Sequence, residues 1–305
     1  MTNSNVSLDD KYSIESGRIF VTGVQALARI PMVQRQRDVL EGLNTAGFIS
    51  GYRGSPVGGF DQQLWRAKKF LEQNHIRFQP GLNEDLAASA IWGSQQTNLH
   101  EGGKYDGVFA IWYGKGPGVD RCGDVFKHGN MSGPAKHGGV LLIAGDDHAA
   151  KSSTVPHQSE YAFMDASIPV LNPAGLQDIV DYGILGFAMS RFSGCWVAFK
   201  TTAENMDSSA SIDVSPDRVK ISLPEFDMPE GGLSIRWPDD WIEQEHRLHQ
   251  YKLNAVRAFA RQNKIDKIII DSHTPKLGVV TTGKSYLDVR QALEDLGINE
   301  AKADK

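Results

Sequence analysis

From Phe48 onward, short apolar runs alternate with longer stretches in which apolar residues recur every third or fourth position. FISGY predicts a strand ending in the loop RGSPVGG, and helical spacing follows through Leu64, Ala67, Lys68 and Leu71. NEDLAASAIWGSQQTNL predicts a helix, GVFAIWYG a strand, and GVLLIAGDD a buried strand bounded by Gly139 and Gly145. IPVLNP reads as short and extended, LQDIVDYGILGFAMSRF as a helix, and CWVAFKTT as a further strand. Strands alternating with helices predict an α/β fold over residues 1–215, a parallel sheet covered on both faces.

The texture changes after residue 215. VSPDRVKISLPEFDMPEGG is proline-rich and irregular, with RVKISL as its strand candidate. PDDWIEQEHRLHQYKLNAVRAFARQN predicts a long amphipathic helix, with Leu248, Tyr251, Ala255 and Phe259 along one face and Asp239 or Asp240 as its cap. Residues 216–270 therefore read as a linker with a long helix. LGVVTTG is strand-like and SYLDVRQALEDLGI helical, so residues 271–305 read as the start of a second, truncated α/β domain. It is incomplete on this reading because a lone strand and helix cannot bury a sheet.

Composition narrows the class. The 305 residues are 40% hydrophobic and 23% charged, with a formal net charge of -5 and no basic footprint for nucleic acid. No apolar run reaches the roughly 18 residues of a membrane span. MTNSNVSLDDKYS has neither the basic start nor the apolar stretch of a signal peptide, so a cytoplasmic protein is expected. Cys122 and Cys195 form no C-x-x-C pair, which excludes an iron–sulfur cluster held by this chain alone and fits a reducing compartment.

Several stretches invite a chemical reading. Gly278-Val-Val-Thr-Thr-Gly283-Lys284-Ser285 satisfies the G-x-x-x-x-G-K-[ST] spacing of a nucleotide phosphate loop. Its interior, Val279, Val280, Thr281 and Thr282, is β-branched and stiff, unlike a backbone that must wrap an anion. A strand, a turn at Gly283 and a helix start explain the same residues. A better candidate is GYRGSPVGGF, at the carboxyl end of a predicted strand, where open α/β sheets bind ligands. Gly51, Gly54, Gly58 and Gly59 let a ligand approach the backbone, and Arg53 and Ser55 offer a charge and a hydroxyl. A purely structural turn is the competing explanation.

In GLNEDLAASAIWG, Asn83 is a natural helix cap, and Glu84 and Asp85 suit the first turn. Ala87, Ala88, Ser89, Ala90, Gly93 and Ser94 then make a helix of almost no bulk, suited to close packing against a helix or a subunit. WYGKGPGVDRCGD and GDDHAAKSSTVPHQSEYAF follow two further strands and have the small, polar composition of active-site loops. His128, His137, His148 and His157 match no compact metal-ligand spacing and read as loop histidines, some lining the site.

The ordered motifs GYRGSP, NEDLAASAIWG, GKGPGVDR, GDDHAAKSS with PHQSE, and KTTAENMDSSASIDV resemble the N-terminal part of indolepyruvate ferredoxin oxidoreductase in its long, fused bacterial form. The wider family is the thiamine-diphosphate-dependent 2-oxoacid:ferredoxin oxidoreductases. LGVVTTGKSYLDVRQAL resembles the start of that family's second domain. The resemblance implies that residues 1–215 form a parallel-sheet pyrimidine-binding domain for thiamine diphosphate. Glu84 matches the glutamate whose carboxyl hydrogen-bonds the cofactor's pyrimidine nitrogen and favours its imino tautomer, with Asp85 one position away as the alternative. Tyr52, Gly54, Ser55 and Pro56 match the family's Tyr-Pro-x-Thr/Ser-Pro loop beside cofactor and substrate. Arg53 stands where shorter relatives carry proline and is a candidate bidentate partner for the 2-oxoacid carboxylate. His148 and Lys151 are further substrate-side candidates.

The implied reaction is oxidative decarboxylation of an aryl pyruvate, indolepyruvate above all, to an aryl-acetyl-CoA, with CoA as acyl acceptor and ferredoxin as electron acceptor. The G-D-G motif with a later asparagine, which holds the cofactor diphosphate and Mg2+, is absent; AGDDH is not that motif. That site and the iron–sulfur clusters are expected on other domains or subunits, the assembly is expected to be homodimeric, and the chain alone inactive. Three other readings stand beside this one: the same family acting on pyruvate or another 2-oxoacid, a nucleotide-binding protein using Gly278–Ser285, and a non-catalytic α/β interaction domain. No nucleic-acid or membrane partner is expected.

Overall fold

The computed structural model describes residues 6–150, 155–299 and 302. Its strands are β1 (Arg18–Thr22), β2 (Ala46–Gly51), β3 (Ile76–Phe78), β4 (Val108–Lys115), β5 (Val140–Asp146), β6 (Val170–Leu171), β7 (Val197–Thr202) and β8 (Ser209–Asp213). The helices used below are α1 (Gly23–Leu40), α2 (Phe60–Arg66), α3 (Glu84–Ser94), α4 (Gly116–Arg121), α5 (Gly123–Ser132), α6 (Glu160–Asp165), α7 (Leu176–Ser193), α8 (Trp241–Arg247), α9 (Leu253–Gln262) and α10 (Lys284–Asp295).

β2 to β7 form one parallel sheet in the order β3-β2-β4-β5-β7-β6, the architecture that the alternating pattern predicts. Side chains alternate between the two faces of each strand. Phe109, Ile111, Tyr113, Leu141, Ile143 and Phe199 pack with α1, α2 and α7 on one side. Ala110, Trp112, Leu142, Ala144 and Ala198 pack with α3 and α5 on the other. The low-bulk helix is α3: Ala87, Ala88 and Ile91 are buried, while Ser89, Ala90 and Gly93 face solvent.

Two features go beyond the sequence reading. β1 and β8 pair as an antiparallel ribbon beside the main sheet. α1 is buried nearly all round and includes Arg29, Gln34, Arg35 and Asp38 among its buried residues. Burial lowers the Arg29 guanidinium to about 10. It donates to the backbone carbonyls of Tyr12 and Ile14 at 2.5 and 2.8 Å.

The long helix of the linker is present in three pieces: α8, a π-helical turn over Leu248–Lys252, and α9. Leu248, Ala255 and Phe259 are buried. Asp240 is the cap, accepting from the Ile242 and Glu243 N–H groups at 2.9 and 3.2 Å. In the π turn Lys252 is 1% exposed and donates to the carbonyls of Asn130 and Met131 at 3.1 and 2.8 Å, satisfying groups left open at the end of α5.

Two strand expectations fail. RVKISL forms no strand; Val219 and Ile221 rest half-buried on the core through their side chains. LGVVTTG forms none either: residues 277–282 have no regular structure, and Val280 is 101% exposed. No described strand lies alongside to share its backbone groups, which are left to water. α10 follows with none of its residues buried.

Candidate functional site

The carboxyl ends of β2, β4, β5 and β7 lie side by side, in registers that pair Gly51 with Tyr113, Lys115 with Gly145, and Asp146 with Thr202. Ligands of open parallel sheets gather at this edge.

Glu84 opens α3. Asn83 caps the helix, its Oδ1 accepting from the Leu86 N–H at 2.8 Å. The Glu84 carbonyl accepts from the Trp112 indole N–H at 3.0 Å, tying the helix start to β4. The Glu84 side chain, 12% exposed, runs over two glycines. A Cβ on Gly118 would stand 2.5 Å from Glu84 Cγ, and one on Gly114 3.4 Å away. Arg121 Nη1 lies 3.4 Å from Glu84 Oε2. The Glu84 carboxylate is thus held at low exposure, its stem laid on Gly118 and near Gly114 and the Trp112 indole, beside one guanidinium. These contacts belong to Glu84 and not to Asp85, whose carbonyl accepts from Ser89 Oγ.

The loop after β2 meets the same ground. The Tyr52 N–H donates to the Tyr113 carbonyl at 3.0 Å. A Cβ on Gly54 would fall 2.7 Å from Lys115 Cδ. Ser55 is half-buried, Pro56 is buried against Gly145, and Tyr52 and Arg53 are exposed. The last two residues of β4, Gly114 and Lys115, therefore join the Glu84 seat to the Gly54 loop.

The third loop is tied at its base. Asp146, fully buried, accepts from the Ser159 N–H at 2.9 Å and from Ser159 Oγ at 2.5 Å. Lys200 Nζ lies 3.5 Å from Asp146 Oδ2 and 2.5 Å from Glu160 Oε1. Burial alone would raise the Glu160 carboxyl. The Lys200 hydrogen bond, the Glu160 amide, and the charges of Lys200 and His148 outweigh it and hold that carboxyl below its ordinary value. His148 is exposed, and its charge is among the smaller influences that lower the Glu160 and Glu204 carboxyls. Lys151 lies outside the described residues. His157 Nε2 sits 2.9 Å from Asp120 Oδ2, and a Cβ on Gly116 would fall 2.1 Å from its ring.

Burial lifts the Cys195 thiol to about 11, and burial with the Asp85 and Glu84 charges lifts Cys122 as well, so neither is poised as a thiolate. Among the described residues no group of three or more His, Cys, Asp and Glu side chains is arranged to hold a metal ion. No helix among them is long and apolar enough to cross a membrane.

Sequence reasoning does not single out Lys115, Gly118, Arg121 or Lys200. The usable signal is the helical register of GKGPGVDR, in which Gly116 shares a face with Asp120 and Gly118 with Arg121.

The same fold is found in a 2-oxoglutarate:ferredoxin oxidoreductase from Magnetococcus marinus, solved with 2-oxoglutarate, coenzyme A and succinyl-CoA bound. The TM-score is 0.62 at 16% identity, covering 92% of this chain and 52% of that one. The fold is therefore that of the 2-oxoacid:ferredoxin oxidoreductases. Residues 267–305 match the family model described as the indolepyruvate oxidoreductase domain. Two curated relatives carry the name indolepyruvate oxidoreductase subunit IorA. Those of Pyrococcus horikoshii and Methanothermobacter thermautotrophicus are each 24% identical, over 293 and 290 residues. Each covers 93% of this chain, which spans only 41% and 42% of their lengths. The chain is thus similar over most of its length to indolepyruvate oxidoreductase subunits, and in fold to a 2-oxoacid:ferredoxin oxidoreductase.

Proposed function

We propose that this chain supplies the pyrimidine side of a thiamine diphosphate site in an oxidoreductase that decarboxylates aryl pyruvates, with CoA as acyl acceptor and ferredoxin as electron acceptor. The observation that carries the reading is the seat of Glu84: a carboxylate of low exposure at the ligand edge of the sheet, its stem laid on Gly118. Gly114 and Gly118 make room for the Glu84 stem and the Trp112 indole, so packing seats the carboxyl at the edge where a cofactor ring would meet it.

When bound, thiamine diphosphate supplies the carbanion chemistry that releases carbon dioxide from a 2-oxoacid. Glu84 holds the proton shared with the pyrimidine nitrogen, which requires hydrogen-bond reach of about 2.6–3.2 Å. Gly54, Ser55 and Pro56 come to the same edge against Lys115 and Gly145, with Tyr52 exposed beside them. Arg53, exposed at the same loop, offers a fork for the substrate carboxylate. His148, in the loop that follows β5, is a substrate-side candidate, and Lys151 is one by its sequence motif alone. The diphosphate, its Mg2+ and the iron–sulfur clusters are held by other domains or subunits. The solvent face of α3, with Ser89, Ala90 and Gly93, is low enough in bulk for a homodimer to close upon.

Glu84→Gln in the assembled enzyme tests the reading. Turnover falls about 10²–10⁴-fold, the usual worth of a positioned acid–base group, while the circular dichroism of the chain stays unchanged. Unaltered turnover overturns the assignment. Comparing kcat/KM for indolepyruvate, pyruvate and 2-oxoglutarate fixes the substrate, and a preference for either of the smaller acids overturns the aryl assignment.

A further inference from the structure

α4 is six residues long and begins Gly-Pro-Gly. So short a helix, with poor helix formers in its first turn, has little stability of its own and takes its position from its neighbours. Those neighbours grip two different faces. Gly116 and Asp120, four apart, share one face, and His157 occupies it. The ring lies so close that a Cβ on Gly116 would stand 2.1 Å from Cγ, and Nε2 reaches Asp120 Oδ2 at 2.9 Å. Gly118 and Arg121, three apart, share the other face, and Glu84 occupies it, with its stem on Gly118 and its carboxylate beside Arg121. Positions two apart on a helix do not face the same way, so His157 and Glu84 hold α4 from different sides.

We propose that His157 is a positioning residue for Glu84: by gripping the Gly116–Asp120 face it fixes α4, whose Gly118–Arg121 face seats the Glu84 carboxyl. The inference rests on the reading of Glu84 given above. With Asp120 accepting from Nε2–H, Nδ1 is left as the acceptor. That atom is buried without a hydrogen-bond partner. An orphaned buried nitrogen is costly, and here it accompanies a ring held flush against the glycine. The imidazole itself is held in place by its chain neighbours, because Ser159 is bonded twice to Asp146, and Glu160 to Lys200, at the carboxyl edge of the sheet.

The test is hydrogen–deuterium exchange at the thiazolium C2 of thiamine diphosphate bound to the assembled oxidoreductase, alongside the cofactor Kd. Exchange reports what Glu84 does to the cofactor without requiring turnover. His157→Ala slows exchange by about 10-fold or more, within the roughly 10²-fold that a misplacement of order 1 Å costs. His157→Gln, which keeps a side-chain N–H for Asp120, restores most of the rate. Asp120→Ala, a change at a half-exposed side chain that leaves the core intact, slows exchange as His157→Ala does, and stands in for it should the alanine variant not assemble. Glu84→Gln is the reference and slows exchange furthest. If Glu84→Gln slows exchange while Asp120→Ala and His157→Ala match the wild type, the positioning role is overturned and the Glu84 reading stands. If His157→Gln fails to recover the rate, the Asp120 contact is not the means, and the proposal falls. If Glu84→Gln itself leaves exchange unchanged, the reading of Glu84 falls and takes this inference with it.

Discussion

Arg191 clasps Asp38 with two bonds, Nη1 to Oδ1 at 2.6 Å and Nη2 to Oδ2 at 2.8 Å, across 153 positions of sequence. The pair joins the end of α7 to the end of α1. Asp38 also accepts from Gln34 Nε2 at 2.8 Å and Thr45 Oγ1 at 2.6 Å, so its oxygens are well served. Its side chain is 1% exposed and that of Arg191 16%. Removing one partner leaves a buried charge without compensation, which costs about 3–5 kcal/mol. Arg191→Leu is therefore expected to lower the unfolding free energy by about that amount in urea titration. A loss below about 1 kcal/mol, the worth of an exposed pair, contradicts the buried geometry.

Gly118→Ala separates seat from scaffold. Alanine suits a helix better than glycine by up to about 1 kcal/mol, so the thermal midpoint should hardly move. The new Cβ would fall 2.5 Å from Glu84 Cγ and displace the carboxyl. Turnover of the assembled enzyme is expected to drop about 10- to 100-fold. A variant with full activity shows that Glu84 works from another position.

The seat is also where the sequence is least legible. The central strands are plain because both of their faces are buried, which gives near-continuous apolar runs such as VFAIWYG and VLLIA. α1 escapes because the buried Arg29, Gln34, Arg35 and Asp38 erase the amphipathic stripe that marks a helix. The β1–β8 ribbon escapes because each strand's partner lies at the far end of the domain in sequence. Residues 277–282 mislead in the opposite direction: strand propensity is realised only by pairing, and no described strand pairs with them. Glu84 is proposed through its motif. Its seat is not, since GKGPGVDR reads only as a small, polar loop until the Glu84 stem is seen lying on Gly118 and the His157 ring on Gly116.

Lys252 gives the fold a pH signature. Burial lowers its ammonium from 10.5 to about 8, against a smaller opposing pull from Cys195. Between these values the unfolded chain holds the proton that the folded chain has released, so the unfolded state binds more protons and stability rises with pH. The difference in unfolding free energy between wild type and Lys252→Met should therefore grow in favour of the wild type from about pH 8 to about 10.5. The growth is at most about 3 kcal/mol. A flat difference across that window contradicts the burial of the ammonium group.

Lys284 tests the phosphate-loop reading. Its Nζ lies 2.5 Å from Asp288 Oδ1 one turn along α10, and the preceding valines are exposed in a stretch without regular structure. ATP with Mg2+ is expected to leave the melting temperature of the chain unchanged, and Lys284→Ala to behave as wild type. A saturable upward shift that Lys284→Ala abolishes reinstates the nucleotide site.

The main sheet ends on its two shortest strands, three residues in β3 and two in β6. An incoming strand finds almost no open ladder of N–H and C=O groups to extend. The main sheet is thereby guarded against growing edge to edge, although its middle strands are among the most apolar stretches of the chain. A partner that met the main sheet would have to grip it through helix faces and loops, the surfaces that can be redrawn without touching the strands.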